Sequence, residues 1–74
     1  MFHISIDSIV LKVSYLNNEV NIEPITPLSP VTKSIAQSEQ SLAGRFIKNS
    51  DAENIEAALM VYFDSRGWIV KQIE

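Results

Sequence analysis

The last third of the chain, residues 49–74, constrains the fold most, because it carries the signals of a helix followed directly by a strand. Ser50 and Glu53 have the spacing of a capping box, in which each side chain accepts a hydrogen bond from the other's backbone N–H. This spacing predicts a helix over residues 51–66. Gly67 can adopt the left-handed conformation that ends a helix, and Trp68 can then fold back onto the last turn.

The residues after that turn, 68–73, are rich in aromatic and β-branched side chains and predict a C-terminal strand. Apolar side chains fall on both of its faces, with Trp68 and Val70 on one and Ile69 and Ile73 on the other. We therefore expect this strand to pair inside the sheet and not at a solvent-exposed edge. Lys71 marks the less buried face.

The N-terminal part of the chain alternates apolar and polar side chains with the two-residue period of half-buried strands. Asn17 and Asn18 tolerate positive φ, so they predict a hairpin turn between the strands on either side. The sequence leaves open whether residues 2–6 continue the first strand of this hairpin or form a strand of their own.

The middle of the chain is dominated by Pro24, Pro27 and Pro30, which fall at every third residue. Proline lacks a backbone donor and restrains the residue before it, so this stretch is predicted to be an extended connector. The spacing also matches a polyproline helix of the kind that aromatic-lined grooves bind. Ser29 followed by Pro30 suits a helix start, which allows a short extra helix near residues 30–43. Gly44 is expected to end it, leaving residues 45–48 as a short strand or a helix end.

Together these patterns predict one small α+β domain over residues 1–74. Its order is an N-terminal hairpin or meander, a proline-rich connector, a possible short helix, a well-capped helix and a C-terminal strand. A chain of 74 residues buries a small core, which rarely contributes more than about 3–5 kcal/mol. It has no cysteine for a disulfide, and with His3 as its single histidine it offers no metal site. Self-association is the remaining source of stability, so we expect a homo-oligomer.

Charge and hydropathy argue against nucleic acid and membranes as partners. Six basic residues against nine acidic ones give a net charge of −3, which does not attract nucleic acid or anionic membranes. The N-terminus lacks the basic start of a secretory signal, and no apolar run approaches the roughly 18 residues of a membrane span. The expectation is a soluble, cytoplasmic protein without membrane contact.

Catalytic chemistry is also not expected. His3 is the only side chain that could activate a serine, and it lies two residues from the chain end. Asp51, Glu53 and Glu56 stand at a predicted helix start, where acids complement the helix dipole without any metal. The two glycines, Gly44 and Gly67, cannot form a phosphate-binding loop. We therefore predict no enzyme activity, no catalytic residue and no cofactor.

The predicted C-terminal helix has two apolar sides. One is a core stripe of Ala52, Ile55, Leu59, Tyr62 and Phe63, with Ala58 at its margin.

The other side, formed by Ala57, Met60 and Val61, is either covered by the middle segment or serves as a contact surface for a partner. If it is a contact surface, Trp68 and Tyr15 are candidate anchors, although Trp68 also suits a structural role.

The functional hypothesis is therefore a non-catalytic protein-interaction module that forms a homodimer or binds another protein. One alternative is a small nucleic-acid-binding protein that uses a sheet face carrying Lys12, Tyr15, Arg45 and Lys48. A second alternative, based on size and acidity alone, is an inhibitor or accessory subunit of a larger enzyme.

Overall fold

The computed structural model describes residues 1–73 and confirms a small α+β fold, in which two helices pack on one four-stranded antiparallel sheet. The sheet order is β3-β2-β1-β4, so β3 and β4 are the two edge strands. In chain order the elements are β1 (Phe2–Ile6), β2 (Ile9–Leu16), β3 (Glu19–Thr26), α1 (Pro30–Lys48), α2 (Ile55–Ser65) and β4 (Ile69–Gln72).

The first three strands form a meander with two-residue turns. Asn17 and Asn18 have φ values of 55° and 66°, which confirms the predicted hairpin between β2 and β3. Asp7, with φ of 54°, makes the equivalent turn between β1 and β2. Residues 2–6 therefore form a strand of their own, which was the point that the sequence left open.

The core lies between the helices and one face of the sheet. Leu59 and Phe63 are fully buried there, as the predicted stripe requires, while Ile55 and Tyr62 are half-buried. The opposite face of the sheet carries mostly polar side chains, which suits an antiparallel sheet with one solvated face. The fully buried residues that the strands contribute to the core are Phe2, Ile4, Leu11 and Val13.

The end of α2 confirms the predicted turn in detail. Gly67 has φ of +94°, its N–H donates to the Asp64 carbonyl, and the Trp68 N–H donates to the Phe63 carbonyl. Both hydrogen bonds span 3.1 Å and together form a Schellman motif. Trp68 is turned inward by this motif and is only 7 % exposed.

The predicted start of α2 was wrong. The helix begins at Ile55, because Asn54 is the N-cap and its Oδ1 accepts from the Ala57 N–H at 3.0 Å. Asparagine caps a helix at least as well as serine. Ser50 instead accepts from the Ala52 N–H, two residues on, so the predicted capping box does not form and Ala52 stays exposed outside the helix.

The middle segment is far more helical than its composition indicated. Ser29 caps α1 by accepting from the Thr32 N–H at 3.3 Å, and Pro30 is its first residue, as the sequence allowed. The helix does not stop at Gly44 and continues to Lys48. Packing of its buried stripe on the sheet outweighs the modest cost of one glycine in a helix interior.

The proline-rich stretch is not one extended connector. Pro24 belongs to β3 and Pro30 to α1, so the three prolines do not form a polyproline helix. Pro24 is accommodated because β3 is an edge strand, where one backbone side has no neighbouring strand.

The C-terminal strand also differs from its prediction. We expected residues 68–73 to pair inside the sheet, but β4 is an edge strand that pairs with β1 alone. Trp68 belongs to the turn before it. Ile69, on the same face as Lys71, is 67 % exposed. One face of β4 is therefore solvent-exposed although it carries an apolar residue.

Candidate interaction surface

One edge of the sheet, β3, is protected at two of its outward-facing backbone positions. The Ile22 N–H points away from β2 and donates to Gln40 Oε1 of α1 at 2.9 Å. Backbone groups alternate in direction along a strand, so Pro24 occupies the next outward position and has no N–H to offer. Covering by a helix and a proline on the edge are two recognised ways of protecting an edge strand.

The other edge, β4, lacks both of these protections. The Ile73 N–H donates to the Met1 carbonyl at 3.4 Å, which shows that odd-numbered residues here turn their N–H toward β1. Val70 and Gln72 must then turn their N–H and C=O groups outward. Within residues 1–73, no side chain hydrogen-bonds to these outward groups, and β4 contains no proline.

The flank of α2 beside β4 is partly apolar. Tyr62 faces α1, because its ring stacks on Phe46 with 4.6 Å between the ring centroids. Two residues correspond to a rotation of about 200° around a helix, so Met60 lies on the opposite flank, toward β4. Its side chain is half-buried against the core.

We call the combination of this flank and the open strand the β4 surface. It joins a half-buried apolar pair, Met60 and Val70, on the helix side of the sheet to the exposed Ile69 on the solvated side. Between these apolar groups runs the row of unpaired backbone donors and acceptors. The β4 surface comprises Met60, Ile69, Val70, Lys71 and Gln72.

Of the partner-binding residues proposed from sequence, Met60 alone belongs to this surface. Ala57 and Val61 are exposed on the outer side of α2, where Val61 is 69 % exposed, so α1 does not cover them. Trp68 is buried, and Tyr15 packs against the core with its hydroxyl donating to Asn18 Oδ1 at 3.3 Å. The Trp68 ring is therefore internal, whereas the Tyr15 ring is half-buried and lies outside the β4 surface.

The residues proposed for nucleic-acid binding do not share one surface. Lys12 lies on the solvated sheet face, 3.6 Å from the Glu23 carboxylate. Arg45 and Lys48 stand at the end of α1, on the helix side, and line an open groove of about 590 Å³ against the β2–β3 turn. Basic residues in the last turn of a helix also complement its dipole.

The structure contains a cluster between the helices that the sequence analysis did not identify. Glu39 is 8 % exposed and accepts two hydrogen bonds from Arg66, at 2.9 and 3.2 Å. The hydrogen bond to Glu39 raises the pKa of Arg66 above its ordinary value, because it stabilises the guanidinium cation. The Arg66 guanidinium also lies 5.5 Å from the centre of the Tyr62 ring. The sequence feature that could have indicated this pair is the spacing of Glu39, which follows Ala36 by three residues and so falls on the buried stripe of α1.

Two further kinds of site are absent from residues 1–73. No helix in this range is long and apolar enough to cross a membrane. The same residues contain no group of three or more histidine, cysteine, aspartate or glutamate side chains placed to hold a metal ion.

No protein-family model matches this chain, and comparisons with curated proteins and with solved structures found no match. Its function therefore has to be argued from its own surfaces.

Proposed function

We propose that this protein is a non-catalytic interaction module that self-associates through the β4 surface. The observation that carries the proposal is the difference between the two sheet edges. At the β3 edge Gln40 binds the Ile22 N–H and Pro24 has none, whereas the β4 edge presents the outward backbone groups of Val70 and Gln72. An edge strand with unpaired backbone donors and acceptors is a template for pairing with another chain.

The size of the chain supports the same conclusion. A domain of 74 residues has a small core, and its two half-buried apolar side chains at the open edge, Met60 and Val70, would gain burial against a second copy. Ile69 is a large apolar side chain that is 67 % exposed beside them. Burial of apolar area contributes about 25 cal/mol per Å² removed from water.

Substitutions at two neighbouring residues test whether the α2 flank is part of the contact between copies. Met60→Glu places a carboxylate on the flank beside β4 and is expected to convert the dimer into a folded monomer. Val61→Glu introduces the same charge one residue away, on the outer side of α2, and is expected to leave the dimer intact. Sedimentation measures the mass, and circular dichroism measures whether each variant is folded. Dissociation by Val61→Glu, with no effect of Met60→Glu, would contradict the proposal.

A second pair of variants tests the strand edge without changing the core. Gln72→Pro removes an outward N–H that β1 does not use, at an exposed side chain, and is expected to weaken dimerisation. Gln72→Ala keeps that N–H and is the matched control, which should associate like the wild type. Equal association of the two variants would show that the outward backbone groups of β4 are not part of the contact.

A further inference from the structure

We infer that two copies join β4 to β4 in antiparallel orientation, in the register that places Val70 opposite Val70 and Ile69 opposite Lys71 of the other copy. This inference rests on the proposed self-association and specifies its geometry. The product would be one continuous sheet of eight strands, four from each copy, with both helix layers on the same face.

The symmetry of a homodimer limits the possible arrangements. In a closed two-fold dimer the same patch contacts itself, so an edge strand paired with its own copy runs antiparallel. Directly opposed residues of an antiparallel pair point to the same face of the sheet, so one residue must lie opposite its own copy, with the axis midway between the two. Because Val70 and Gln72 carry the outward backbone groups, the registers that use them best are centred on Val70 or on Lys71.

Hydrogen bonding alone does not choose between these two registers. Centred on Val70, the strands exchange both Val70 bonds, and each Gln72 N–H meets the Trp68 carbonyl of the other copy. Centred on Lys71, each Val70 exchanges both bonds with Gln72 of the other copy. Either arrangement provides four hydrogen bonds, because the Trp68 N–H is already held by the Phe63 carbonyl.

The charge pattern of the solvated sheet face favours the Val70 register. Lys71 lies beside His3 in one row across the sheet, which continues to Lys12 and its ion-pair partner Glu23, so Lys71 is the lysine of this row without an acidic neighbour in it. The Lys71 register would join two such rows end to end and would set two ammonium groups opposite each other at the closest kind of strand contact. The Val70 register offsets the rows, and the aliphatic stem of each Lys71 covers the exposed Ile69 of the other copy.

Cysteine cross-linking can read the register directly, since the wild-type chain contains no cysteine. Ile69 and Lys71 turn their own N–H groups toward β1. In the Val70 register, Ile69 of one copy and Lys71 of the other therefore form a non-hydrogen-bonded pair with Cα atoms about 4.5 Å apart. That separation lies within the range of a disulfide. Ile69→Cys and Lys71→Cys are made as separate chains, each at an exposed position, and are oxidised alone and after mixing.

The expected result is a cross-linked dimer from the mixture and little from either variant alone. Efficient cross-linking of Lys71→Cys with itself would overturn the inference in favour of the Lys71 register. Dimeric mass without cross-linking in any combination would place the contact elsewhere and would also overturn it. Sedimentation of the reduced variants separates these outcomes from failure of the proposed function, because monomers throughout would reject self-association and with it the pairing.

Discussion

At the scale of single residues, the two glycines of the chain have opposite effects on stability. Gly67 has φ of +94°, a conformation that costs an L-residue with a side chain about 1–2 kcal/mol. Gly44 lies inside α1, where glycine is less favourable than alanine by about 0.5–1 kcal/mol. A methyl group would meet open space at both positions, so backbone conformation alone should decide the result.

We therefore predict that Gly67→Ala lowers the free energy of unfolding by about 1–2 kcal/mol and that Gly44→Ala raises it by about 0.5–1 kcal/mol. Chemical denaturation of the two variants, at one protein concentration, measures both changes. A stabilising effect of Gly67→Ala would contradict the assignment of the left-handed turn that directs Trp68 into the core.

The Glu39–Arg66 pair provides a second prediction at this scale. Arg66→Ala leaves the buried Glu39 carboxylate without its partner, which we expect to cost about 1–3 kcal/mol because Arg66 itself is 37 % exposed. Lys12→Ala removes the solvent-exposed pair with Glu23 and should cost no more than about 1 kcal/mol. Equal effects in a denaturation experiment would mean that the pair between the helices contributes no more than a surface contact.

At the scale of elements, α2 combines a core side and a solvent side. Leu59 is fully buried, so Leu59→Ala should cost about 2–5 kcal/mol, enough to threaten folding of a domain this small. Val61 is 69 % exposed, and Val61→Ala should change stability by less than about 0.5 kcal/mol. Thermal unfolding followed by circular dichroism compares the two, and a large loss for Val61→Ala would show that the outer side of α2 is covered.

The protection of β3 can be removed by design. Pro24→Val with Gln40→Ala restores one outward N–H and frees another, that of Ile22, so this double variant should associate more strongly than the wild type. Light scattering at matched concentrations measures the increase. Unchanged association would indicate that neither residue protects the β3 edge against pairing with another chain.

The sequence predicted local features of the elements well and their tertiary positions less well. Asn17, Asn18 and Gly67 were assigned correctly because each positive φ is a property of the residue and its immediate neighbours. The length of α1 was underestimated because its helix depends on packing against the sheet, which outweighs its serines and Gly44. The edge position of β4 was missed because strand order is set by the whole chain.

At the scale of the whole molecule, size and the lack of disulfides or metal ligands led to a prediction of self-association, but the sequence could not locate the proposed contact. The α2 flank was part of the predicted surface through Met60, whereas Trp68 is buried and Tyr15 is half-buried away from β4. The open edge became visible only once the sheet order showed which strands lack a neighbour, and once Gln40 was seen to occupy the Ile22 N–H.

The measurement that tests the central claim most directly is the molar mass of the wild-type protein in solution over a dilution series, by sedimentation equilibrium. Self-association through the β4 surface predicts a mass of twice 8.3 kDa at high concentration, falling toward 8.3 kDa on dilution, with Gln72→Pro shifted to the monomer. A mass of 8.3 kDa at every concentration would contradict the account.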